Sequence, residues 1–101
     1  MNSENKKFKM WSLFPFIARD VAVWVGEGVG SGEVEKVIKE NAGEMVVKGP
    51  ELFDEFKKNG KVSYAFRLIF QSYERTLTDQ EVNEIMNKIS EKIKERGWEV
   101  R

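Results

Sequence analysis

The chain has 101 residues, which is enough for one domain. Its 17 Lys and Arg side chains balance 17 Asp and Glu side chains, so a nucleic-acid site would have to be a local patch. Cys and His are both absent, which excludes disulfides, thiolate nucleophiles, structural zinc sites and imidazole catalysis, and we expect no metal and no cofactor.

The amino-terminal segment predicts a flexible leader and an arm. Residues 1–7 are polar and aperiodic, whereas residues 10–17 are rich in aromatic side chains and contain Pro15, which favours an extended arm lying on the domain. The apolar run 13–18 is too short to span a bilayer. Arg19-Asp20 ends that run and no small-residue cleavage site follows, so we expect no signal peptide, no membrane contact and a cytoplasmic location. We therefore divide the chain into residues 1–13 and a domain of residues 14–101.

A strand, a glycine-rich loop and a helix are predicted next. The β-branched run 21–25 is typical of a strand. Glycines then alternate through residues 26–32 without the dinucleotide-binding spacing or a Gly-Lys-Ser/Thr ending, so a turn capped by Ser31 is favoured over a phosphate loop. Residues 32–42 place apolar side chains at helical spacing, and Gly43 predicts a left-handed helix end.

The second half begins with a predicted hairpin. Residues 44–56 indicate a strand, interrupted at Gly49-Pro50, which favours an edge strand or a bulge there. Residues 57–61 predict a turn because they contain Asn-Gly. Residues 62–72 alternate strictly, and the larger apolar set, Tyr64, Phe66, Leu68 and Phe70, must face the core.

A second helix and a short strand complete the chain. Residues 78–81 form a capping box, so the helix begins near Asp79. Gly97 ends it, and residues 98–101 can add a final strand. The order β-α-β-β-α-β predicts an α+β, ferredoxin-like fold, in which two helices cover one face of a four-stranded antiparallel sheet. The predicted core is Val21, Val23, Val34, Val37, Ile38, Tyr64, Phe66, Leu68, Phe70, Val82, Ile85, Ile89 and Ile93.

Five runs of sequence carry a family resemblance: Phe14-Pro15 with Arg19-Asp20-Val21-Ala22, Leu52-Phe53-Asp54, residues 63–70, residues 75–82 and the final Arg101. In this order and spacing they resemble the ferredoxin-fold anticodon-binding domain that ends the bacterial phenylalanyl-tRNA synthetase β subunit. The resemblance covers residues 14–101. Two features depart from the family pattern, since Ala18 stands where many members carry a basic residue and the stretch around Gly49-Pro50 is about one residue longer.

The resemblance implies a non-catalytic module that binds the anticodon stem-loop of phenylalanine tRNA, while aminoacylation occurs elsewhere in the synthetase. The implied partners are this tRNA, the remainder of the β subunit and the α subunit. The isolated domain is expected to be monomeric.

The alternation of side chains along the strands predicts which residues contact RNA. If Tyr64 and Phe66 face the helices, the opposite face carries Arg67, Gln71 and Trp24, with Asp20 near one end. Single-stranded bases commonly stack on aromatic rings and guanidinium planes of such a face. Phosphate contacts are predicted from the strand mouth, the hairpin and the segment before the last helix: Arg19, Lys57, Lys58, Lys61 and Arg75.

Each assignment has a structural alternative. Trp24 can be covered by the aromatic arm, and Arg67 can be the ion-pair partner of Asp20. The hairpin lysines can be solvent-exposed turn residues, and residues 75–78 can simply begin the helix.

Two other functions are compatible with a ferredoxin-like sheet. An acylphosphatase-like hydrolase would need an arginine in the loop 26–32, which contains none. A regulatory module that binds an amino acid or similar ligand at a dimer seam fits the balanced charge, and a monomeric state would disfavour it.

Overall fold

The computed structural model describes residues 14–101. These residues form a four-stranded antiparallel sheet with two helices on one face. The elements are β1 (Ile17–Gly26), α1 (Ser31–Ala42), β2 (Val46–Lys58), β3 (Lys61–Phe70), α2 (Asp79–Glu95) and β4 (Glu99–Val100). The strand order is β2-β3-β1-β4, which places β2 and β4 at the edges. The predicted α+β ferredoxin-like fold is confirmed. The predicted leader and residues 10–13 of the predicted arm lie outside the described residues, and Ile17, the last residue of that arm, belongs to β1.

The core lies between the helices and one face of the sheet, as strand parity predicts. Val21 and Val23 of β1 and Phe66 and Leu68 of β3 are buried on this face. Full burial of one such side chain contributes roughly 1.5–3 kcal/mol to folding. Of the predicted core set, Ile85 alone is partly buried and packs against the cluster from its margin.

Helix α1 begins and ends differently from the prediction. Gly30 is its N-cap, no side chain caps it, and Ser31 is already the first helical residue, so the predicted Ser31 cap is wrong. The preceding loop closes through a hydrogen bond from the Val29 N–H to the Gly26 carbonyl, at 3.1 Å. Gly43 ends the helix with φ 81° but with an extended ψ of −170°, so the cap has a positive φ without being left-handed helical.

Helix α2 has both predicted ends. The Glu81 N–H donates to the Thr78 hydroxyl at 3.2 Å, and the Thr78 N–H donates to the Glu81 carboxylate at 2.9 Å, completing the capping box. At the other end the Gly97 N–H donates to the Lys94 carbonyl and the Trp98 N–H to the Ile93 carbonyl, the Schellman pattern. Neither described helix is long and apolar enough to cross a membrane.

Strand β2 runs through the Gly49-Pro50 interruption as an edge strand with irregular pairing. Its register against β3 shifts between Val46 and Lys48, between Lys48 and Glu51, and between Leu52 and Asp54. The strand continues to Lys58, two residues beyond the predicted end at Phe56. The turn consists of Asn59 and Gly60 only, and both residues have positive φ. Lys57 and Lys58 belong to β2 and Lys61 to β3, so the predicted five-residue turn is corrected.

Candidate nucleic-acid interface

The sheet face turned away from the helices is called the open face below. It carries Asp20, Ala22 and Trp24 of β1, which lie opposite Arg67, Ala65 and Ser63 of β3. Edge strand β2 adds Glu51, Asp54 and Phe56, because these residues pair with the same three β3 residues. The register thus brings charged and aromatic side chains of three strands onto one surface.

Arg67 and Asp20 form a two-pronged ion pair across β1 and β3. The Arg67 Nε donates to Asp20 Oδ1 at 2.8 Å and its Nη2 donates to Oδ2 at 3.0 Å. Hydrogen bonding to Arg67 lowers the pKa of the Asp20 carboxyl, and Asp20 in turn raises the pKa of Arg67. The pairing that the sequence left as an alternative is therefore present, and Arg67 nevertheless remains about half exposed, at 49%.

Phe53 lies beneath the same guanidinium. The Arg67 Cζ is 4.7 Å from the centre of the Phe53 ring, which is a cation–π contact. Alternation from Glu51, which pairs with Arg67, places Phe53 on the open face, and the register shift between Leu52 and Asp54 then changes the phase so that Phe56 lies on this face too. Phe53 is 49% exposed.

A second aromatic cluster surrounds Trp24. Its ring meets Phe56 edge to face with centroids 6.1 Å apart. Arg101 lies over the Trp24 ring at 5.7 Å, and its Nη1 donates to the Ser63 hydroxyl at 3.3 Å. The Arg101 N–H donates to the Ala22 carbonyl at 2.8 Å, which extends the pairing of β4. Ser63 and Ala65 face this surface as parity predicts, yet they are buried beneath the larger neighbours.

The hairpin lysines divide between the two sides of the sheet. Lys58 pairs with Lys61 on the open face, whereas Lys57 pairs with Val62 of the helix-covered face. All three lysines are exposed. A cleft beside the hairpin is lined by Trp24, Lys58, Asn59, Lys61 and Glu99, so the open-face lysines border the Trp24 cluster.

Gln71 and Arg19 are held at the opposite end of the sheet. The Gln71 Nε2 donates to the Phe14 carbonyl at 2.8 Å, which ties the segment before β1 to the end of β3. Arg19 turns toward helix α2, where its Nη1 donates to Asn83 Oδ1 at 2.6 Å and its Nη2 lies 3.8 Å from Asp79. Neither side chain lies among the Trp24 or Arg67 contacts.

Arg75 is part of the α2 cap. Its Nη1 donates to Glu81 Oε1 at 2.7 Å and its Nη2 pairs with the other carboxylate oxygen. The Arg75 guanidinium, followed by the Thr78 N–H, lowers the pKa of Glu81 to about 2. Residues 75–78 therefore take part in the start of helix α2, as the structural alternative predicted.

The structure brings together five of the nine predicted site residues: Asp20, Trp24, Lys58, Lys61 and Arg67. It places Arg19, Gln71 and Arg75 elsewhere, and Lys57 on the other side of the hairpin. Sequence reasoning missed Phe53, Phe56 and Arg101 as open-face residues. The Leu52-Phe53-Asp54 run and the terminal Arg101, which carry the family resemblance, are the sequence signals for two of these three residues.

Trp24 is partly covered by neighbouring side chains of the described residues. Phe56 and Arg101 contact its ring, and the residue is partly buried among described neighbours. The arm residues 10–13 predicted to cover it lie outside the described residues. Phe16, which follows them, is 61% exposed.

Comparisons with known proteins give one consistent family. The family model described as ferredoxin-fold anticodon binding domain matches residues 12–101. The phenylalanine–tRNA ligase beta subunit of Corynebacterium efficiens is 41% identical over 97% of this chain and 12% of that protein. The beta subunit of Trichormus variabilis is 38% identical over 88% of the chain and 11% of that protein. The chloroplastic/mitochondrial phenylalanine–tRNA ligase of Arabidopsis thaliana is 33% identical over 89% of the chain and 21% of that protein. The chain thus spans 11–21% of the length of these relatives.

Proposed function

Since the chain belongs to the ferredoxin-fold anticodon-binding domain family, we propose that it binds the anticodon stem-loop of phenylalanine tRNA as a non-catalytic module of a phenylalanyl-tRNA synthetase. Its partners are this tRNA, the remainder of the β subunit and the α subunit. The relatives that support this function are phenylalanine–tRNA ligases, of which the chain covers a small part. Cytoplasm stays the predicted location, although one relative is a chloroplastic/mitochondrial enzyme.

The observation that carries the proposal is the set of rings and guanidinium groups on the open face. Trp24 and Phe56 lie together at one end, and Arg67 lies on Phe53 further along. Unpaired bases of a loop stack on such groups, and each stacked base is worth roughly 1–3 kcal/mol by alanine substitution. A folded loop with splayed bases is therefore a suitable ligand for this surface.

The charged residues fit a surface that stacks bases more than it clamps phosphates. Acidic Asp20, Glu51 and Glu99 interleave with the basic groups of the open face. Lys58 and Lys61 at the hairpin are its exposed lysines beside the cleft, so they are the first candidates for phosphate contact. Lys57, Arg19, Gln71 and Arg75 remain predicted contacts at the rim, and the last three would have to leave their present partners.

Binding by this module alone should be weak. A module tethered within a large enzyme works at a high effective concentration, so a weak site suffices there. The balanced charge of the chain, 17 basic and 17 acidic residues, gives no long-range attraction to strengthen it.

The test is a titration of the 101-residue chain with a labelled phenylalanine-tRNA anticodon stem-loop. A stem-loop of equal length with an unrelated loop sequence is the control ligand, because it offers the same phosphates. We expect tighter binding of the phenylalanine stem-loop, and equal affinity for both RNAs would contradict the proposal.

A further inference from the structure

Arg67 is held in one orientation by two neighbours. Asp20 accepts from its Nε and Nη2, which engages two of the five N–H donors of a guanidinium. Phe53 supports one face of the plane, with the Arg67 Cζ 4.7 Å from the ring centre. Within residues 14–101 no further hydrogen bond is made by this guanidinium, so its Nη1 edge is unengaged.

The charge around Arg67 is net negative. Asp20 lies across β1 and Glu51 lies directly opposite on β2, so two carboxylates flank one guanidinium. Both carboxylates raise the pKa of Arg67, Asp20 more than Glu51. A phosphate brought to this point would meet one positive and two negative groups, so it gains little from the guanidinium.

The remaining surface of Arg67 suits a neutral, flat group. The side chain is 49% exposed, and Phe53 occupies one side of its plane. The other side offers a flat platform, and the Nη1 edge offers donors to a ring nitrogen or carbonyl oxygen. These are the features of an unpaired nucleobase.

We propose that the Asp20–Arg67–Phe53 group binds an unpaired base and discriminates against phosphate, and that Asp20 is the positioning residue that keeps Arg67 in this role. This inference rests on the proposed RNA-binding function. Its distinctive consequence concerns Asp20, which is an acidic residue on a polyanion-binding surface. Simple electrostatics predicts that its removal improves RNA binding uniformly, whereas a positioning role predicts that its removal changes the kind of ligand preferred.

Glu51 provides a matched control. It carries the same charge beside the same guanidinium, but within the described residues it makes no hydrogen bond to Arg67. Asp20→Ala and Glu51→Ala therefore remove equal charge, and Asp20→Ala alone releases Arg67. The ligands are a phenylalanine-tRNA anticodon stem-loop and inorganic polyphosphate, a polyanion without bases, each titrated over a series of salt concentrations.

The expected results differ between the variants. Asp20→Ala should reduce the preference for RNA over polyphosphate about tenfold and should steepen the salt dependence by about one unit, because freed Arg67 becomes a phosphate contact. Glu51→Ala should strengthen binding of both ligands alike and keep the preference. Arg67→Ala should weaken RNA binding roughly 5- to 150-fold with little change in salt slope.

Equal behaviour of Asp20→Ala and Glu51→Ala would overturn the inference, as would a loss of one unit of salt slope in Arg67→Ala. Thermal unfolding identifies any variant that fails to fold, and Asp20→Asn with Glu51→Gln then replaces the alanine pair under the same criteria. If the parent binds the phenylalanine stem-loop no better than an unrelated one, the proposed function fails. The comparison of RNA with polyphosphate still decides the role of Asp20 in that case.

Discussion

Two arginines of this chain make similar bidentate pairs with carboxylates, and their surroundings separate their roles. Arg67 pairs with Asp20 on an exposed sheet surface and rests on the ring of Phe53. Arg75 pairs with Glu81, which also caps helix α2 through the Thr78 N–H. Arg75 is thereby tied to helix formation, whereas Arg67 is tied to the open face, so substitutions at the two sites should report on stability and on binding respectively.

Trp24 offers the sharpest residue-level test of base stacking. Trp24→Ala should weaken binding of the phenylalanine stem-loop by roughly 1–3 kcal/mol with little change in salt slope. Lys58→Ala should lower the salt slope by about one unit and weaken all RNAs alike. Fluorescence anisotropy over a salt series measures both quantities.

Lys39→Ala, at an exposed position in the last turn of α1, is the matched control for Lys58 and should bind like the parent. Circular dichroism checks that Trp24→Ala still folds, since its ring contacts Phe56 and Arg101. A folded Trp24→Ala that binds the stem-loop with parental affinity would remove the open face from the binding site.

Glu81 should contribute to acid sensitivity. Its pKa is held at about 2 in the folded chain, below its ordinary value of 4.5, chiefly by Arg75. Its contribution to stability is therefore fully present above pH 4.5 and is lost as the pH falls from 4.5 toward 2. Glu81→Gln should be less stable than the parent at neutral pH, and the difference should shrink through this acidic window.

Urea midpoints measured from neutral pH to pH 2 follow this difference. Glu84→Gln, at an exposed position of the same helix, is the control and should stay parallel to the parent. A constant gap between Glu81→Gln and the parent across the window would show that ionisation of Glu81 does not stabilise the fold.

At the scale of elements, the irregular edge strand β2 determines what the open face presents. Its register shifts put both Phe53 and Phe56 on that face, three residues apart, which strict alternation forbids. The strand approaches β3 closely at Gly49, which has φ 93° and would place a Cβ against the carbonyl oxygen of Arg67. The glycine therefore permits the pairing that positions the following aromatic residues.

Gly49→Ala should accordingly destabilise the chain by at least about 1–3 kcal/mol, through the positive φ together with the backbone contact. Gly28→Ala is the control, because a Cβ there meets nothing within 4 Å and its φ is outside the positive range. Urea unfolding compares the two variants. Equal stability of both would mean that β2 moves away from β3 at little cost.

At the scale of the whole molecule, the sheet separates one core from one open face, and the charge of the chain is balanced. Buried side chains of the sheet and both helices form one cluster, with the open face on the other side of the sheet. Within residues 14–101, the helices and the core cluster lie on the other side of the sheet from that face. The family to which the chain belongs makes tRNA the expected ligand.

We expect the isolated chain to be monomeric and to activate no amino acid. The competing hypothesis, a regulatory module with an amino acid at a dimer seam, requires a dimer that responds to the ligand. Analytical ultracentrifugation with and without phenylalanine separates the two hypotheses, and pyrophosphate exchange with ATP tests activation. A ligand-stabilised dimer, or exchange activity that survives stringent purification, would contradict the proposed function.

The sequence by itself determined the elements whose causes are local. The alternation through residues 62–70, the Thr78–Glu81 box and Asn59-Gly60 act over a few residues, so pattern and turn chemistry predicted them correctly. The family resemblance likewise depended on short runs in order. The N-cap was predicted at Ser31 and lies at Gly30, because both residue types are common at that position and the local sequence does not distinguish them.

Only the tertiary structure decided the composition of the candidate interface. A period of two assigns faces as long as a strand is regular, and the register shift of β2 between Leu52 and Asp54 interrupts that count before Phe56. Arg101 reaches Trp24 because β4 pairs with β1, and Arg19 reaches Asn83 because helix α2 starts beside that strand. These contacts join residues more than 60 positions apart, and their geometry depends on how strands and helices pack, which no local pattern encodes.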